Sequence, residues 1–138
     1  AYSIFSKSIG FGKSYDFVPI SEILKRVRRE VIVNDETEYK RVTIKLFGKG
    51  VKIRDSAFGK DIGTKRQFVA QTGDFLLSKI DARNGAFGLA DETIDGAIIT
   101  NDFPSYVVDT DKVLSNYFEL ITHTQAFLEF CRSASSGT

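Results

Sequence analysis

The sequence predicts an α+β domain: a twisted, mostly antiparallel multi-stranded sheet or half-barrel, with an N-terminal helix and C-terminal helices. Three observations predict this class. Apolar residues recur at helical spacing over residues 20–29, alternate with polar residues through the middle of the chain, and return to helical spacing beyond residue 111. The order of a helix, many strands and further helices is typical of α+β domains, not of alternating β–α units.

The first helix is predicted over residues 20–29. Four apolar residues there fall on one helical face: Ile20, Ile23, Leu24 and Val27. Pro19 and Ser21 are both suitable starting points. The sequence EVIVN follows and predicts a strand.

A basic hairpin is predicted next. In YKRVTIKLF, residues 39–47, Val42, Ile44 and Leu46 alternate with a basic outer face that ends at Phe47. The turn FGKG and the alternating VKIR follow, so residues 39–54 are predicted to form a hairpin. It carries four basic side chains: Lys45, Lys49, Lys52 and Arg54.

The rest of the chain is predicted as a loop, short strands and helices. Residues 55–65 are polar with two glycines and are predicted as an exposed loop. Short strands are predicted in RQFVA, DFLLSKI, GAFGLA, GAIIT and SYVVD. From Asp111 onward, apolar stripes at three- and four-residue spacing predict two helices with a break near residues 122–124.

Charge is unevenly distributed along the chain. Residues 40–66 hold nine basic residues against two acidic ones, a net charge of +7. Residues 67–138 hold four basic residues against ten acidic ones, a net charge of −6. A basic central segment indicates a polyanionic partner, and a solvated charged face is the alternative interpretation.

The residues offer no catalytic constellation. His123 and Cys131, each the only one of its type, do not supply a metal site; they are assigned to a surface or capping position and a buried structural position. NDFP, residues 101–104, lacks the Asn/Asp-Pro-Pro-aromatic arrangement of amino-methylating enzymes, and no Gly-rich cofactor loop follows a first strand. Glu38-Tyr39-Lys40, with Asp16 upstream, has the spacing of the carboxylate–lysine element of a metal-dependent nuclease, but Glu38 lies in NDETE, a polar turn, and not on a buried strand. We therefore expect no catalytic residue, metal or cofactor.

The composition also bears on location. A single cysteine permits no internal disulfide and favours a reducing, cytoplasmic setting. No apolar run is long enough to span a bilayer, so no membrane partner is expected. The lack of methionine and the Ser-rich end suggest a piece of a longer protein.

The stretch SKIDARNGAFG, residues 78–88, has two interpretations. Asn84 and Gly85 tolerate positive φ, so the first interpretation is a tight hairpin turn, with Gly88 easing close packing. The second is functional, because Lys79, Arg83 and Asn84 carry suitable groups for phosphates and base edges.

Four stretches follow one another along the chain: YKRVTIKLFGKGVKIRD, GTKRQFVAQTGDFLLSKIDARNGAFGLA, DGAIITNDFPSYVVD and YFELITHTQAFLEFCRSASSGT. In this order they resemble the target-recognition domains of type I restriction–modification specificity subunits. The resemblance covers roughly residues 20–138, and SKIDARNGAFG is its most distinctive part.

This resemblance implies that residues 1–138 are one DNA target-recognition domain, a fragment of a specificity subunit that carries two. Each such domain reads one half of a split DNA target and is not catalytic. Modification subunits methylate adenine alongside it, and restriction subunits translocate and cut. S-adenosylmethionine, ATP and Mg²⁺ are expected only on those partner subunits. Fused restriction–methylation enzymes also contain single domains of this kind, which leaves that origin open.

Double-stranded DNA is therefore the expected partner. Ten residues are the predicted contacts: Lys45, Lys49, Lys52, Arg54, Lys60, Lys65, Arg66, Lys79, Arg83 and Asn84. Phosphate contacts set register, and only base-edge contacts select sequence. IDARNG resembles a framework that such domains share although their DNA targets differ. We therefore expect Arg83 to contact the DNA backbone, and we expect the residues that read bases to lie within residues 55–66. The rival interpretation is a protein-interaction module whose basic segment docks an acidic partner.

Overall fold

The structure, a computed structural model, describes residues 8–10, 17–19, 23–109 and 127. These residues are mostly β. The strands are β1 Ser8–Gly10, β2 Phe17–Pro19, β3 Leu24–Val27, β4 Glu30–Ile32, β5 Glu38–Lys45, β6 Gly50–Phe58, β7 Arg66–Val69, β8 Phe75–Leu77, β9 Phe87–Leu89, β10 Ile98–Ile99 and β11 Ser105–Val108. Short 3-10 turns occur at Gly59–Asp61, Ala82–Asn84 and Glu92–Ile94.

Two larger sheets organise the described residues. One has five strands in the order β4-β7-β10-β5-β6, with β10 parallel to β5 and the other pairs antiparallel. The other has four antiparallel strands in the order β3-β11-β8-β9. β1 and β2 form a separate antiparallel pair. The edge strands β6 and β9 approach each other closely, since a Cβ on Gly88 would lie 3.3 Å from the Cα of Gly50.

The two faces of the five-stranded sheet bury different clusters. Val42, Ile44 and Phe68 belong to the larger cluster, together with Leu76 from the other sheet. Tyr39 packs on the opposite face against a smaller cluster of Val33, Ile62 and Ile98. This division follows from the period-2 alternation of β5, which sends neighbouring side chains to opposite faces.

Three aromatic rings pack against one another at the four-stranded sheet. The ring centroids of Phe75 and Phe87 lie 6.0 Å apart. Phe127 packs edge-on against both rings, at 5.9 Å from Phe75 and 5.2 Å from Phe87. Tilted and edge-to-face arrangements at these distances are the favoured geometries for aromatic pairs. Phe127, on the apolar stripe noted in the sequence, is therefore a core residue.

The predicted α+β class is wrong. Within the described residues no helix reaches seven residues, and strands dominate. The N-terminal helix predicted over residues 20–29 is replaced in large part by β3, in which Leu24 pairs with Val108 of β11. The predicted C-terminal helices fall on residues that, apart from Phe127, lie outside the described part of the chain.

The physical reason is that strand pairing outweighs a weak local pattern. β3 is matched to β11 along its four residues, and Leu24 is 4% exposed. An isolated helix of about ten residues is marginal in water, and a short apolar run fits a helical or a strand period about equally well. The pairing with β11 therefore determines that these residues form a strand and not a helix.

The exposed loop predicted over residues 55–65 is wrong in its first part. β6 continues to Phe58, which pairs with Glu38 of β5. The polar composition suggested a loop because residues 55–58 of the strand are exposed or half-buried. Ala57 alone among residues 55–58 packs against the smaller apolar cluster.

Buried Asp74 and half-buried Arg29 form an ion pair between two segments that connect the larger sheets. Asp74, whose side chain is 4% exposed, accepts two hydrogen bonds from the Arg29 guanidinium, at 2.6 and 3.1 Å. The same carboxylate accepts from the Ser105 hydroxyl at 2.7 Å and from the Gln71 amide at 3.0 Å. The hydrogen bonds that Arg29 donates to Asp74 are the main reason that the pKa of Arg29 is raised. This network joins the segment after β3 to the turn before β8 and to β11.

Candidate nucleic-acid interface

The β5–β6 hairpin predicted from alternation is confirmed, and it is the main basic element. Thr43 pairs with Lys52, and Lys45 pairs with Gly50. Lys45 and Lys52 are therefore diagonal neighbours on the outer face, a relation that typically places residues about 7–8 Å apart. Lys49 lies in the turn between the strands, and all three lysines are exposed.

The turn of this hairpin, residues 46–49, is held against the turn that contains the ARNG sequence. The Phe47 amide donates to the Asn84 carbonyl at 2.8 Å, and the Gly48 amide donates to the Gly85 carbonyl at 2.9 Å. Arg83 and Asn84, both exposed, thus lie beside the hairpin turn. We call the surface formed by Lys45, Phe47, Lys49, Lys52, Arg83 and Asn84 the tip surface.

Gly85 permits this contact. Its φ is +81°, in the left-handed region. A Cβ at this position would lie 3.0 Å from the Phe47 amide nitrogen and 3.0 Å from its Cα. The tight turn predicted from the sequence is confirmed, but only Gly85 needs positive φ, because Asn84 belongs to the 3-10 turn.

Replacing Gly85 with alanine is expected to separate the two turns. The added methyl group strains the left-handed backbone and meets the backbone of Phe47, so a destabilisation of about 1–3 kcal/mol is expected. Amide hydrogen exchange of Phe47 and Gly48 measures the separation. Gly73→Ala is the matched control, since Gly73 has φ +91° but nothing within 4 Å. If the Phe47 and Gly48 amides were as well protected from exchange in Gly85→Ala as in Gly73→Ala, the contact between the two turns would be contradicted.

Phe47 is the residue that sequence reasoning missed as a contact. It is 77% exposed, and its φ of +59° is unusual for a bulky side chain. Such a backbone costs about 1–3 kcal/mol and persists only when neighbouring contacts impose it. The two hydrogen bonds to the ARNG turn do so here. The sequence feature that could have indicated Phe47 is an aromatic residue between lysines in a Gly-rich turn.

The middle of the hairpin carries partly neutralised arginines. Arg41 makes two hydrogen bonds with the Asp55 carboxylate, at 2.7 and 2.8 Å, and Arg54 lies 3.5 Å from it. The hydrogen bond from Arg41 is the main cause of the lowered pKa of Asp55. Arg41 and Arg54 also line an open groove of about 480 Å³, whose other wall includes Ser78 and Asp81. Exposed Lys79 lies between these two residues in sequence.

Three further predicted contacts lie outside the tip surface. Lys60 is exposed in the 3-10 turn after β6, Lys65 pairs with Asp35 at 3.1 Å, and Arg66 pairs with Glu30 at 2.9 Å. Because a strand rises about 3.3 Å per residue, β6 separates its ends by roughly 26 Å. Lys60 follows the end of β6 away from the tip, Arg54 lies in the middle of the hairpin and Arg66 lies on β7, so the ten predicted residues do not form one patch.

An acidic group borders the tip surface. Asp91 and Lys52 line opposite parts of a groove of about 330 Å³ between β6 and β9. Hydrogen bonds from Thr93 are the main cause of the lowered pKa of Asp91, and the charge of Lys52 adds to it. Within the described residues, Lys45, Lys49 and Arg83 make no ion pair, so the positive charge of the tip surface rests chiefly on them.

The described residues contain neither a metal-ligand cluster nor a membrane-spanning helix. In the described ranges, no group of three His, Cys, Asp or Glu side chains is placed to hold a metal ion. Nor does this part of the chain contain a helix with the length and apolar character needed to cross a membrane.

Comparison with known proteins adds no family assignment. No protein-family model matches the chain, and no curated protein sequence matches it.

Proposed function

We propose that this chain is a non-catalytic DNA target-recognition domain of a type I restriction–modification specificity subunit, reading one half of a split target. Modification and restriction subunits in the cytoplasm are its proposed partners. A domain from a fused restriction–methylation enzyme would use the same DNA-binding surface. One observation carries the proposal: exposed lysines at the end of the β5–β6 hairpin lie beside Arg83 and Asn84.

The tip surface has the shape and chemistry that duplex DNA requires. The major groove, about 12 Å wide, admits a two-stranded β-ribbon. Lys45, Lys49 and Lys52 supply cations for phosphates, which set affinity and register. Arg83 and Asn84 supply the side-chain types that pair with guanine and adenine edges. The docking of the two turns fixes these groups relative to one another before DNA binds.

Lysine replacement at the tip should weaken DNA binding and its salt dependence. Each phosphate contact contributes about 0.9 to the slope of log affinity against log salt concentration. In Lys45→Ala/Lys49→Ala/Lys52→Ala, the slope should fall in magnitude by up to about 2.7. Fluorescence anisotropy with a random-sequence duplex at several salt concentrations measures it.

The matched control removes the same charge from outside the tip surface. Lys60→Ala/Lys65→Ala/Arg66→Ala should leave the slope near that of the parent chain, because Lys60 follows the far end of β6, and Lys65 and Arg66 already pair with Asp35 and Glu30. An equal fall in both triple variants would indicate a response to net charge alone. That result would remove the tip surface from the interface.

Exposed apolar groups favour a second candidate, the docking of an acidic protein. Phe47 is 77% exposed and Leu46 is 38% exposed, and both lie among lysines. Aromatic residues are enriched at the buried centre of protein interfaces. A glutamate-rich peptide that binds as tightly as duplex DNA of equal charge, with the same loss in the tip variant, would favour this alternative.

A further inference from the structure

We propose that Phe47 contacts the C5-methyl group of a thymine in the major groove and so contributes to sequence selection. This inference rests on the proposed function and names one contact within the DNA site. It moves base selection from residues 55–66, where the sequence suggested it, to the turn of the hairpin.

The first support is the position of the side chain. Phe47 is the most exposed of the large apolar residues in the described part of the chain, at 77%. It lies at the end of the hairpin between Lys45 and Lys49. If these lysines reach phosphates on either side, the ring between them is directed toward the base edges.

The second support is preorganisation. Hydrogen bonds from the Phe47 and Gly48 amides to the ARNG turn hold the backbone in its left-handed conformation. A side chain carried on a backbone fixed in this way requires less ordering on binding than one on a mobile loop, because only its own rotamer remains to be ordered. A strained backbone at an exposed aromatic residue is a reason to look for a function there.

The third support selects the groove and the chemical group. The end of the hairpin consists of two strands with the ARNG turn packed against them, which is too broad for a minor groove about 6 Å wide. The major groove, about 12 Å wide, admits a two-stranded β-ribbon, and its apolar base-edge group is the thymine methyl. Phenylalanine is among the residues that contact this methyl. Apolar wedges that unstack bases act mainly from the minor groove.

The test is a double-mutant cycle between protein and DNA. A duplex preferred by the 138-residue chain is first selected from a randomised library, and each thymine is then replaced by uracil, which removes only the methyl group. At one position, the replacement should weaken binding to the parent chain about fourfold, the effect of one buried methyl group. Phe47→Ala should bind the original duplex about tenfold more weakly and show no further loss with uracil.

Two further protein variants and two further measurements serve as controls for the cycle. Phe47→Leu keeps an apolar side chain and should retain part of the thymine preference. Phe58→Ala removes another exposed aromatic residue, 45% exposed at the far end of the hairpin, and should change nothing. Thermal unfolding of each variant checks that the fold is intact, and the salt slope should stay at its parental value because no charge changes.

The outcomes separate this inference from the proposed function. Equal uracil effects in the parent chain and Phe47→Ala, or a preferred duplex without thymine, would overturn the methyl contact but leave lysine-dependent DNA binding intact. An increase in 2-aminopurine fluorescence that depends on Phe47 would instead show base unstacking and also overturn it. No binding to any duplex would overturn both proposals.

Discussion

Replacing Gly59 with alanine is expected to lower the free energy of unfolding by about 3 kcal/mol, at the upper end of overpacking effects. A Cβ at this position would lie 1.9 Å from the carbonyl oxygen of Asn34 and 2.8 Å from Val33 Cγ1. The first of these contacts is with backbone, so no side-chain rotation relieves it. The Gly59 amide also donates to the Thr37 carbonyl at 2.8 Å, which holds the β4–β5 loop in place. Urea denaturation measures the change.

Gly63→Ala provides the matched control. Gly63 is exposed, has no positive φ and has nothing within 4 Å of its Cβ position. The same chemical change there should be neutral, or should stabilise by about 0.4–1 kcal/mol by restricting the unfolded chain. Similar urea midpoints for the two variants would show that the loop gives way, and would contradict the expected strain.

The second large effect concerns the buried ion pair. Asp74→Ala is expected to destabilise the fold by about 3 kcal/mol, the lower end of the range for breaking a buried pair, because the Arg29 side chain is 26% exposed. The substitution leaves the Arg29 guanidinium without its carboxylate, and it leaves the Gln71 amide and the Ser105 hydroxyl without their acceptor. Thermal and urea unfolding both report the loss.

An exposed ion pair between β4 and β7 of the five-stranded sheet provides the comparison. Glu30 and Arg66 are joined at 2.9 Å, with side chains 46% and 62% exposed. Glu30→Ala should cost no more than about 1 kcal/mol, because solvent screens an exposed pair. The two substitutions together test whether burial sets the strength. A cost for Asp74→Ala as small as that for Glu30→Ala would show that water replaces the lost carboxylate.

Local pattern was enough for most of the strands. Alternation in residues 39–54 predicted the hairpin, and Val42 and Ile44 are buried as the pattern required. RQFVA, DFLLSKI, GAFGLA, GAIIT and SYVVD each contain an observed strand. Period-2 alternation and the Gly, Asn and Pro residues between strands are local signals, so they can be read without knowing the fold.

Local pattern failed where partners distant in sequence decide the structure. Leu24–Val27 forms a strand because β11, about 80 residues later, supplies its hydrogen-bonding partners. β7 and β8, which are separated by the five residues 70–74, belong to different sheets. Neither result follows from the residues of the segment itself, because strand pairing depends on contacts that short windows do not contain.

The candidate site shows the same division. Charge counting located the basic segment, but it treated residues 40–66 as one surface. In the fold, Lys40 donates to the Thr93 and Asp95 carbonyls, and Arg41, Lys65 and Arg66 pair with nearby carboxylates. A net charge of +7 therefore overstates the positive charge that a ligand meets.

The sequence by itself determined the basic hairpin, the tight turn at Gly85 and most of the short strands, because each depends on neighbouring residues. Only the tertiary structure decided the mostly β class, the separation of the basic residues and the contact between the hairpin and the ARNG turn. That contact consists of backbone hydrogen bonds and the space left by a missing Cβ. Neither leaves a pattern in side-chain type, so the position of Phe47 beside Arg83 and Asn84 appears only when the chain is folded.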